Sequence, residues 1–491
     1  MAKKIDLWWP VAGALRLAGL MLPLILAGCA TLGPDYRTPE SELPDTWQRE
    51  ADPSLVRDET LVRDWWRLFE DPLLDELIVA AEQGNRDLRR TVARVREARA
   101  RLGVARGERM PEAAAQGSVV RQRGSENSLA GAGYTETLYR TGFDASWEID
   151  LFGRISRSVE AAAADYQATE EEYRDGLVSL YAEVAQVYLD IRTFQARLAA
   201  TRGNLDSQEQ ALRLTRSRFE NGLATGLDVA QAEQLLASSE AEVAPLHIAL
   251  SRAIHSLSVL LGEPPGARFE QLGEVRPIPV PPPSVAVGVP ADLLRQRPDI
   301  RRAERLLAAQ TARIGVARGD LYPRLSLSGT FAFESIDSGD LFKGSSRAFG
   351  FGPTLRWLLF DGARVRNQVR VEDARTEQAL NHYEQTVLNA LKEAEGAMTE
   401  YLDQRDRLEA LERAVAAARR SLQLATRLYR DGLVNFQNVL DAQRALFDGE
   451  NQLAAARGHT AMNLVALYRA LGGGWVVNEE EIVADESSPA S

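Results

Sequence analysis

The chain has one cysteine, Cys29, and four histidines, His247, His255, His382 and His459, in 491 residues. One thiol excludes a disulfide framework, and the histidines show no metal-ligand spacing. They read as helix-surface residues. Walker loop, dinucleotide glycine pattern and nucleophile elbow are all missing, so the sequence points to no enzyme and to no metal or other cofactor. Excess positive charge is missing too. The formal net charge is −12; the first 28 residues carry Lys3, Lys4 and Arg16 against Asp6, a balance of +2, which leaves −14 on the rest. Nucleic-acid binders show a basic footprint, so nucleic acid is excluded as a partner.

Proline is missing over long stretches, between Pro111 and Pro245 and again between Pro353 and Pro489. Inside those windows lie residues 154–221, bounded by Gly153 and Gly222, and 363–431, bounded by Gly362 and Gly432. As helices, each would be ~100 Å long. Leu177, Val184, Ile191, Leu198, Leu205, Leu212 and Phe219 recur every seven residues. So do Leu380, Val387, Ala394, Tyr401, Leu408, Val415, Leu422 and Tyr429. A heptad sustained this long predicts side-by-side helix packing, a wall rather than a reactive site.

The chain is written twice. "RARLGVARGERMP" at 99–111 matches "TARIGVARGDLYP" at 311–323 with an offset of 212. "FENGLATGLDVAQAE" at 219–233 matches "YRDGLVNFQNVLDAQ" at 429–443 with an offset of 210. "WEIDLFGR" at 147–154 and "WLLFDGAR" at 357–364 form a third pair. The sequence therefore divides into a leader (1–28), an extended N-terminal segment (29–62), a first repeat (63–262), a connector (263–290), a second repeat (291–474) and an acidic tail (475–491). Eight of the 28 connector residues are Pro, which predicts a stiff extended link. Each repeat should hold a helix, two strands and a long helical hairpin.

The strand signal is period two. Leu325, Leu327, Phe331 and Phe333 alternate with Ser326, Ser328, Thr330 and Glu334; Phe349, Phe351, Leu355 and Trp357 alternate with Gly350, Gly352, Thr354 and Arg356. Tyr139, Phe143, Trp147 and Ile149 alternate with Arg140, Asp144, Ser146, Glu148 and Asp150, while 113–123 alternates weakly. A soluble antiparallel sheet would show the same alternation. Segments of about ten residues, with aromatic ends and an apolar face opposite a charged one, suit a transmembrane β-barrel. Four strands cannot close a barrel, so several chains must share one. Two chains give eight strands and three give twelve. The charges of Arg140, Asp144 and Glu148 favour a wet interior, hence three.

The leader puts Lys3 and Lys4 ahead of an apolar run from Leu17 to Ala27, as in a secretory signal peptide. Eleven residues are too few to span a bilayer. Leu26-Ala27-Gly28-Cys29 resembles the bacterial lipobox. That resemblance implies cleavage before Cys29 and a covalent diacylglycerol and N-acyl lipid on it, with Ala30 favouring the outer membrane. The alternative is an ordinary signal peptide with a chance cysteine.

Duplication, strand pairs and long helices together resemble the TolC-like outer-membrane efflux protein family, in its OprM/NodT-like lipoprotein branch. The carrying residues are "LAGCATLGPDYRTP" (26–39), "WWRLFEDPLLDELI" (65–78) and "LLRQRPDIRRAE" (293–304) followed by "GVARGDLYPRLSLSG". The resemblance implies an α+β membrane protein. A homotrimer would form a 12-stranded outer-membrane barrel, four strands per chain, continued by a long periplasmic α-helical barrel. It implies an exit duct of a tripartite efflux system, passively exporting small molecules such as drugs or toxic compounds. The partners implied are a periplasmic adaptor and an inner-membrane pump of the resistance-nodulation-division type. Arg297-Pro298-Asp299 is a family signature that reads as structural, with Pro298 starting a helix. By matching motif positions, Asp441 falls where a carboxylate constricts the pore and Asn438 where the family has a second one; the duplicated positions are Asp228 and Gln231. Gly222, Leu223, Gly432 and Leu433 match the hairpin-turn signature that docks the adaptor. Two alternatives differ in class: a duct for type I protein secretion, and a periplasm-spanning structural lipoprotein. The lipid anchor favours efflux over secretion, and the alternating strands disfavour a mere strut.

Overall fold

The computed structural model describes residues 31–40, 43–49, 51–57, 64–127, 133, 135–292 and 296–475. The leader, Cys29 and residues 476–491 of the tail lie outside the described residues. In chain order the elements are β1 (Leu55–Arg57), α1 (Pro72–Gly84), α2 (Arg86–Gly107), β2 (Glu112–Arg123), β3 (Thr135–Ile149), α3 (Arg154–Glu220), α4 (Gly226–Ala241) and α5 (Val243–Leu260). Then come α6 (Phe269–Gly273), β4 (Val285–Val287), α7 (Pro298–Gly319), β5 (Arg324–Ser335), β6 (Arg347–Arg356), α8 (Arg364–Arg430) and α9 (Phe436–Ala470). Short 3-10 turns punctuate the connections.

Three pairs of elements repeat to the residue. Helices α2 and α7 both have 22 residues, β2 and β5 both have 12, and α3 and α8 both have 67. Two places depart from the repeat: β3 has 15 residues against 10 in β6, and the returning helices differ. Helix α9 runs unbroken for 35 residues, whereas its counterpart breaks at Glu242 into α4 and α5. Pro245 supplies the cause: it has no N–H to give the Ala241 carbonyl, and its ring crowds that oxygen. At the matching place α9 has Ala455.

The chain forms two compact units. The first takes the described residues up to 40 together with 94–170 and 302–384. Its centre is a four-stranded antiparallel sheet in the order β2-β3-β5-β6. Register places Phe143 opposite Phe331, and Phe331 opposite Phe349. These rings are 64%, 44% and 75% exposed, so one face of the sheet is an uncovered aromatic band. The other face holds Gly142, Ala332, Ala348, Gly350 and Gly352, with an ion pair of 2.9 Å from Arg140 to Glu334. On that face Gln116 also donates to Asp144. At one end of the sheet, Trp147 Nε1 donates to the Arg109 carbonyl (2.9 Å) and Trp357 Nε1 to the Leu321 carbonyl (3.1 Å), the same tie in each repeat. Alternation of this kind follows from the strand period, each face collecting every second residue.

In the same unit, α2 packs on α3 through Leu102, Ala105 and Val159, and α3 packs on α7 through Ala164, Ala308 and Ala309. Gln310 of α7 donates to Glu372 of α8 at 2.7 Å. The segment 31–36 straps the α3–α7 contact. Buried Arg157 donates to the Leu32 carbonyl (3.1 Å) and to Asp35 (2.6 Å), and Tyr36 donates to Glu304 (3.0 Å).

The second unit takes the described residues among 41–93, 171–301 and 385–491. Heptad residues Val184, Ile191, Ala394 and Tyr401 are among its most buried, as the sevenfold spacing predicts. Trp65 stacks on Tyr468 (6.1 Å between ring centroids), and Trp66 meets Tyr181 edge-on (5.0 Å). Strand β1 pairs in parallel with β4, Leu55 opposite Val285, so the extended N-terminal segment and the Pro-rich connector share a small sheet. Arg297 is buried; it forks onto Asp299 (3.0 and 2.6 Å), reaches Glu393 (2.9 Å) and donates to the Ala470 carbonyl (2.8 Å). This cluster bears out the structural reading of Arg297-Pro298-Asp299. All four histidines lie exposed on helices.

Candidate functional site

The site lies where each long helix turns back. Gly222 and Gly432 take φ of +74° and +77°, the left-handed region that closes a helix at low cost only for glycine. At the first turn, Gly222 N–H bonds to the Phe219 carbonyl (2.9 Å) and Leu223 N–H to the Arg218 carbonyl (2.8 Å). At the second, Gly432 N–H bonds to Tyr429 (3.0 Å) and Leu433 N–H to Leu428 (2.8 Å). Both are Schellman closures, which satisfy the last helix carbonyls. No atom would meet a Cβ on Gly222 within 4 Å, so backbone conformation alone calls for glycine there. Leu223 and Leu433 stand 65% and 71% exposed, one apolar side chain at each tip.

The returning helices begin with different caps. At α4, Thr225 Oγ1 accepts from Asp228 N–H (3.2 Å) while Asp228 Oδ2 accepts from Thr225 N–H (2.8 Å), a complete capping box. At α9, Asn435 takes the cap, and Asn438 donates its amide to the Asn435 side-chain oxygen (2.6 Å). Asp228 and Asn438 are thus the same position in the two repeats, and both hold a helix start together. Asp441 differs: it sits a turn further on, exposed, accepting from Gln437 Nε2 (2.8 Å) with Arg444 Nη1 at 3.9 Å. Its counterpart Gln231 is half-buried. Asn438 and Asp441, three residues apart on α9, share the exposed side, opposite buried Phe436, Val439, Leu440 and Gln443.

The two hairpins hold each other. Leu212, Ala232 and Leu235 of the first pack with Tyr429, Phe436, Val439 and Leu440 of the second. Arg218 crosses between them: its guanidinium lies 4.7 Å over the Tyr429 ring and donates to the Arg430 carbonyl at 2.9 Å. Sequence reading overlooked this clamp. The available signal was a difference between the copies, since the counterpart of Arg218 is Leu428.

An outer membrane efflux protein family model matches residues 77–263 and 289–473, one span in each repeat. The chain belongs to the outer membrane efflux protein family. It is 34% identical over 477 residues to outer membrane protein OprJ of Pseudomonas aeruginosa, covering 94% of this chain and 96% of OprJ. It is 31% identical over 465 residues to the cation efflux system protein CusC of Escherichia coli, covering 94% of this chain and 99% of CusC. Among solved structures, the outer-membrane channel OprN superposes with a TM-score of 0.86 at 37% identity, over 91% of this chain and all of the OprN chain, a coverage of 100%. The fold is that of the family's trimeric channels, with four barrel strands per chain. The protein is an outer-membrane efflux channel. Members of this family are channels rather than enzymes, and act as the outer-membrane part of three-component pumps with an adaptor and an inner-membrane pump. In that setting the aromatic band of Phe143, Phe331 and Phe349 is the lipid face, and the face with Gly142 and Gly350 lines the lumen.

Proposed function

We propose that this channel is a lipid-anchored exit duct for small molecules, gated at the hairpin tips by a ring of Asp441 side chains. The single observation that carries the gate is the asymmetry between the two carboxylates. Asp228 is occupied in a capping box, whereas Asp441 stands exposed on the α9 side that also bears Asn438. Three copies would gather three Asp441 carboxylates about one axis, a ring that favours cations. Arg444 beside each Asp441 moderates that field, and Asn438 adds no charge to it. The exposed Leu223 and Leu433 at the glycine turns present apolar tips to a periplasmic adaptor, and the inner-membrane pump is of the resistance-nodulation-division type. Cys29 carries the diacylglycerol and N-acyl chains, each methylene contributing ~0.8 kcal/mol of membrane affinity. In planar bilayers, Asp441→Ala is expected to raise single-channel conductance or relieve block by divalent cations, and an unchanged channel would refute the gate. Cys29→Ala is expected to abolish metabolic lipid labelling; persistent label would refute the anchor.

A further inference from the structure

Charge on the four-stranded sheet sorts by face. The strands carry five carboxylates, Glu112, Glu136, Asp144, Glu148 and Glu334, and the register puts every one on the lumen face. That face mixes them with Arg140, Arg324 and Arg356. The lipid face has no strand carboxylate at all. Its charged strand residues are Arg121, Arg123 and Arg347. Arg347 stands opposite Phe333, next along from the Phe331–Phe349 pair. Arg121 and Arg123 stand opposite Thr137 and Thr135, on the same side as Phe143.

All three arginines lie at the end of the sheet where β2 turns to β3 and β5 to β6. The other end runs into α2, α3, α7 and α8, the periplasmic side of the channel, and there the lipid face ends in Trp147 and Trp357. Arg347 is ten residues from Trp357. That is about 33 Å along the strand, and about 25 Å in height once the strand tilts, the height of a barrel's apolar band. A guanidinium facing lipid is costly at the midplane and costs little at the boundary, so Arg347 belongs at the outer boundary. Arg347 donates Nε to the Gly344 carbonyl (3.1 Å). Neither Arg347 nor Arg121 has a carboxylate partner among the described residues, whereas Arg123 pairs with Glu126 (3.2 Å) and Lys343 with Asp340. Beside them the apolar surface continues outward. Exposed Phe342, from the β5–β6 connection, lies 5.8 Å from the Phe333 ring, which meets Phe331 edge-on at 5.6 Å.

We infer that the outer end of the lipid face binds a phosphorylated glycolipid of the lipid A class, with Arg121 and Arg347 on its phosphates and its acyl chains along Phe342, Phe333 and Phe349. Two observations select this occupant. The charge is of one sign and carried by arginine, whose planar fork matches phosphate oxygens. It is also confined to one end of the strands. A diacyl phospholipid present in both leaflets would meet such cations at either boundary, whereas here only the outer one is furnished. A lipid restricted to the outer leaflet, with phosphates at the border between sugar and acyl chains, fits a row of arginines directly above an aromatic band. Carboxylates are kept to the lumen face, where they repel no lipid phosphate.

The test titrates the full-length trimer in detergent with lipid A, with lipid A stripped of its phosphates, and with phosphatidylglycerol, and reads bound lipid by native mass spectrometry. Wild type is expected to bind lipid A about tenfold or more tighter than the stripped form. Arg121→Gln with Arg347→Gln is expected to lose about tenfold for lipid A and nothing for the stripped form. Gln122→Ala, on the lumen face between Arg121 and Arg123, is expected to bind as wild type does. If the double variant fails to assemble, the single variants decide, each with a loss of about threefold. Undiminished lipid A binding by the double variant, or by both single variants, overturns the site. So does an equal loss in Gln122→Ala. Phosphatidylglycerol bound as tightly as lipid A, and lost with the same arginines, overturns the glycolipid as occupant.

Discussion

Replacing Arg218 by leucine, the residue its counterpart already has, should loosen the two hairpins of one chain from each other. Two interactions disappear. The guanidinium over Tyr429 contributes ~0.5–2 kcal/mol depending on desolvation. The charged hydrogen bond to the Arg430 carbonyl contributes ~1.5–3 kcal/mol when buried and less near solvent. Arg218 is half-buried over a ring that is 4% exposed, which puts the combined loss near ~1–2 kcal/mol once leucine recovers part of the contact area. The apolar cluster of Leu212, Leu235, Phe436 and Leu440 stays intact, so global stability should change little. Local opening should become about 5–30-fold more frequent. Hydrogen exchange followed by mass spectrometry reads this directly, in peptides spanning 212–221 and 425–440, with β5 peptides as internal reference. Unchanged exchange at the tips, or equal acceleration in β5, would refute the clamp.

Gly432→Ala forces a left-handed backbone on a residue with a Cβ and should cost the second tip ~1–2 kcal/mol, seen as earlier proteolysis near 432. Arg297→Ala leaves Asp299 and Glu393 without their common partner and the Ala470 carbonyl without a donor; a loss of about 3 kcal/mol in chemical denaturation is expected, with Arg297→Lys losing less. Asp190, on α3, has its carboxyl pushed up by burial, with His459 opposing weakly. A raised carboxyl favours folding below its unfolded pKa and loses that contribution as pH rises through the folded value. Asp190→Asn should therefore melt higher than wild type at neutral pH, and the difference should close as pH falls below the ordinary aspartate range; a pH-independent difference would contradict the assignment.

Much of the fold was legible because it is periodic. A spacing of seven over Leu177 to Leu212 has one physical reading, a helix seam, and alternation over Phe349 to Trp357 has another, a two-faced strand. The duplication then doubled each signal. What stayed hidden depends on which residue meets which across the chain. Asp228 and Asp441 look alike as carboxylates near a glycine turn. Only the caps separate them, since Thr225 can recruit Asp228 three residues on, and no such partner precedes Asp441. Arg218 was invisible for the same reason, its partners lying 211 and 212 residues away. The break at Glu242 was within reach, since Pro245 announces it and Ala455 in the other copy shows what the unbroken helix requires.

The lumen face of the sheet has a chemical consequence for whatever passes. Where Gly142, Ala332, Gly350 and Gly352 line it, a solute meets peptide groups already engaged in the strand ladder. Among its charged residues, Arg140 pairs with Glu334 and Asp144 accepts from Gln116, all on the same sheet. Charges spent on one another leave few strongly adhesive sites there. Residence time inside such a barrel is set by diffusion rather than by desorption, so cargoes of unlike chemistry should leave at similar speeds.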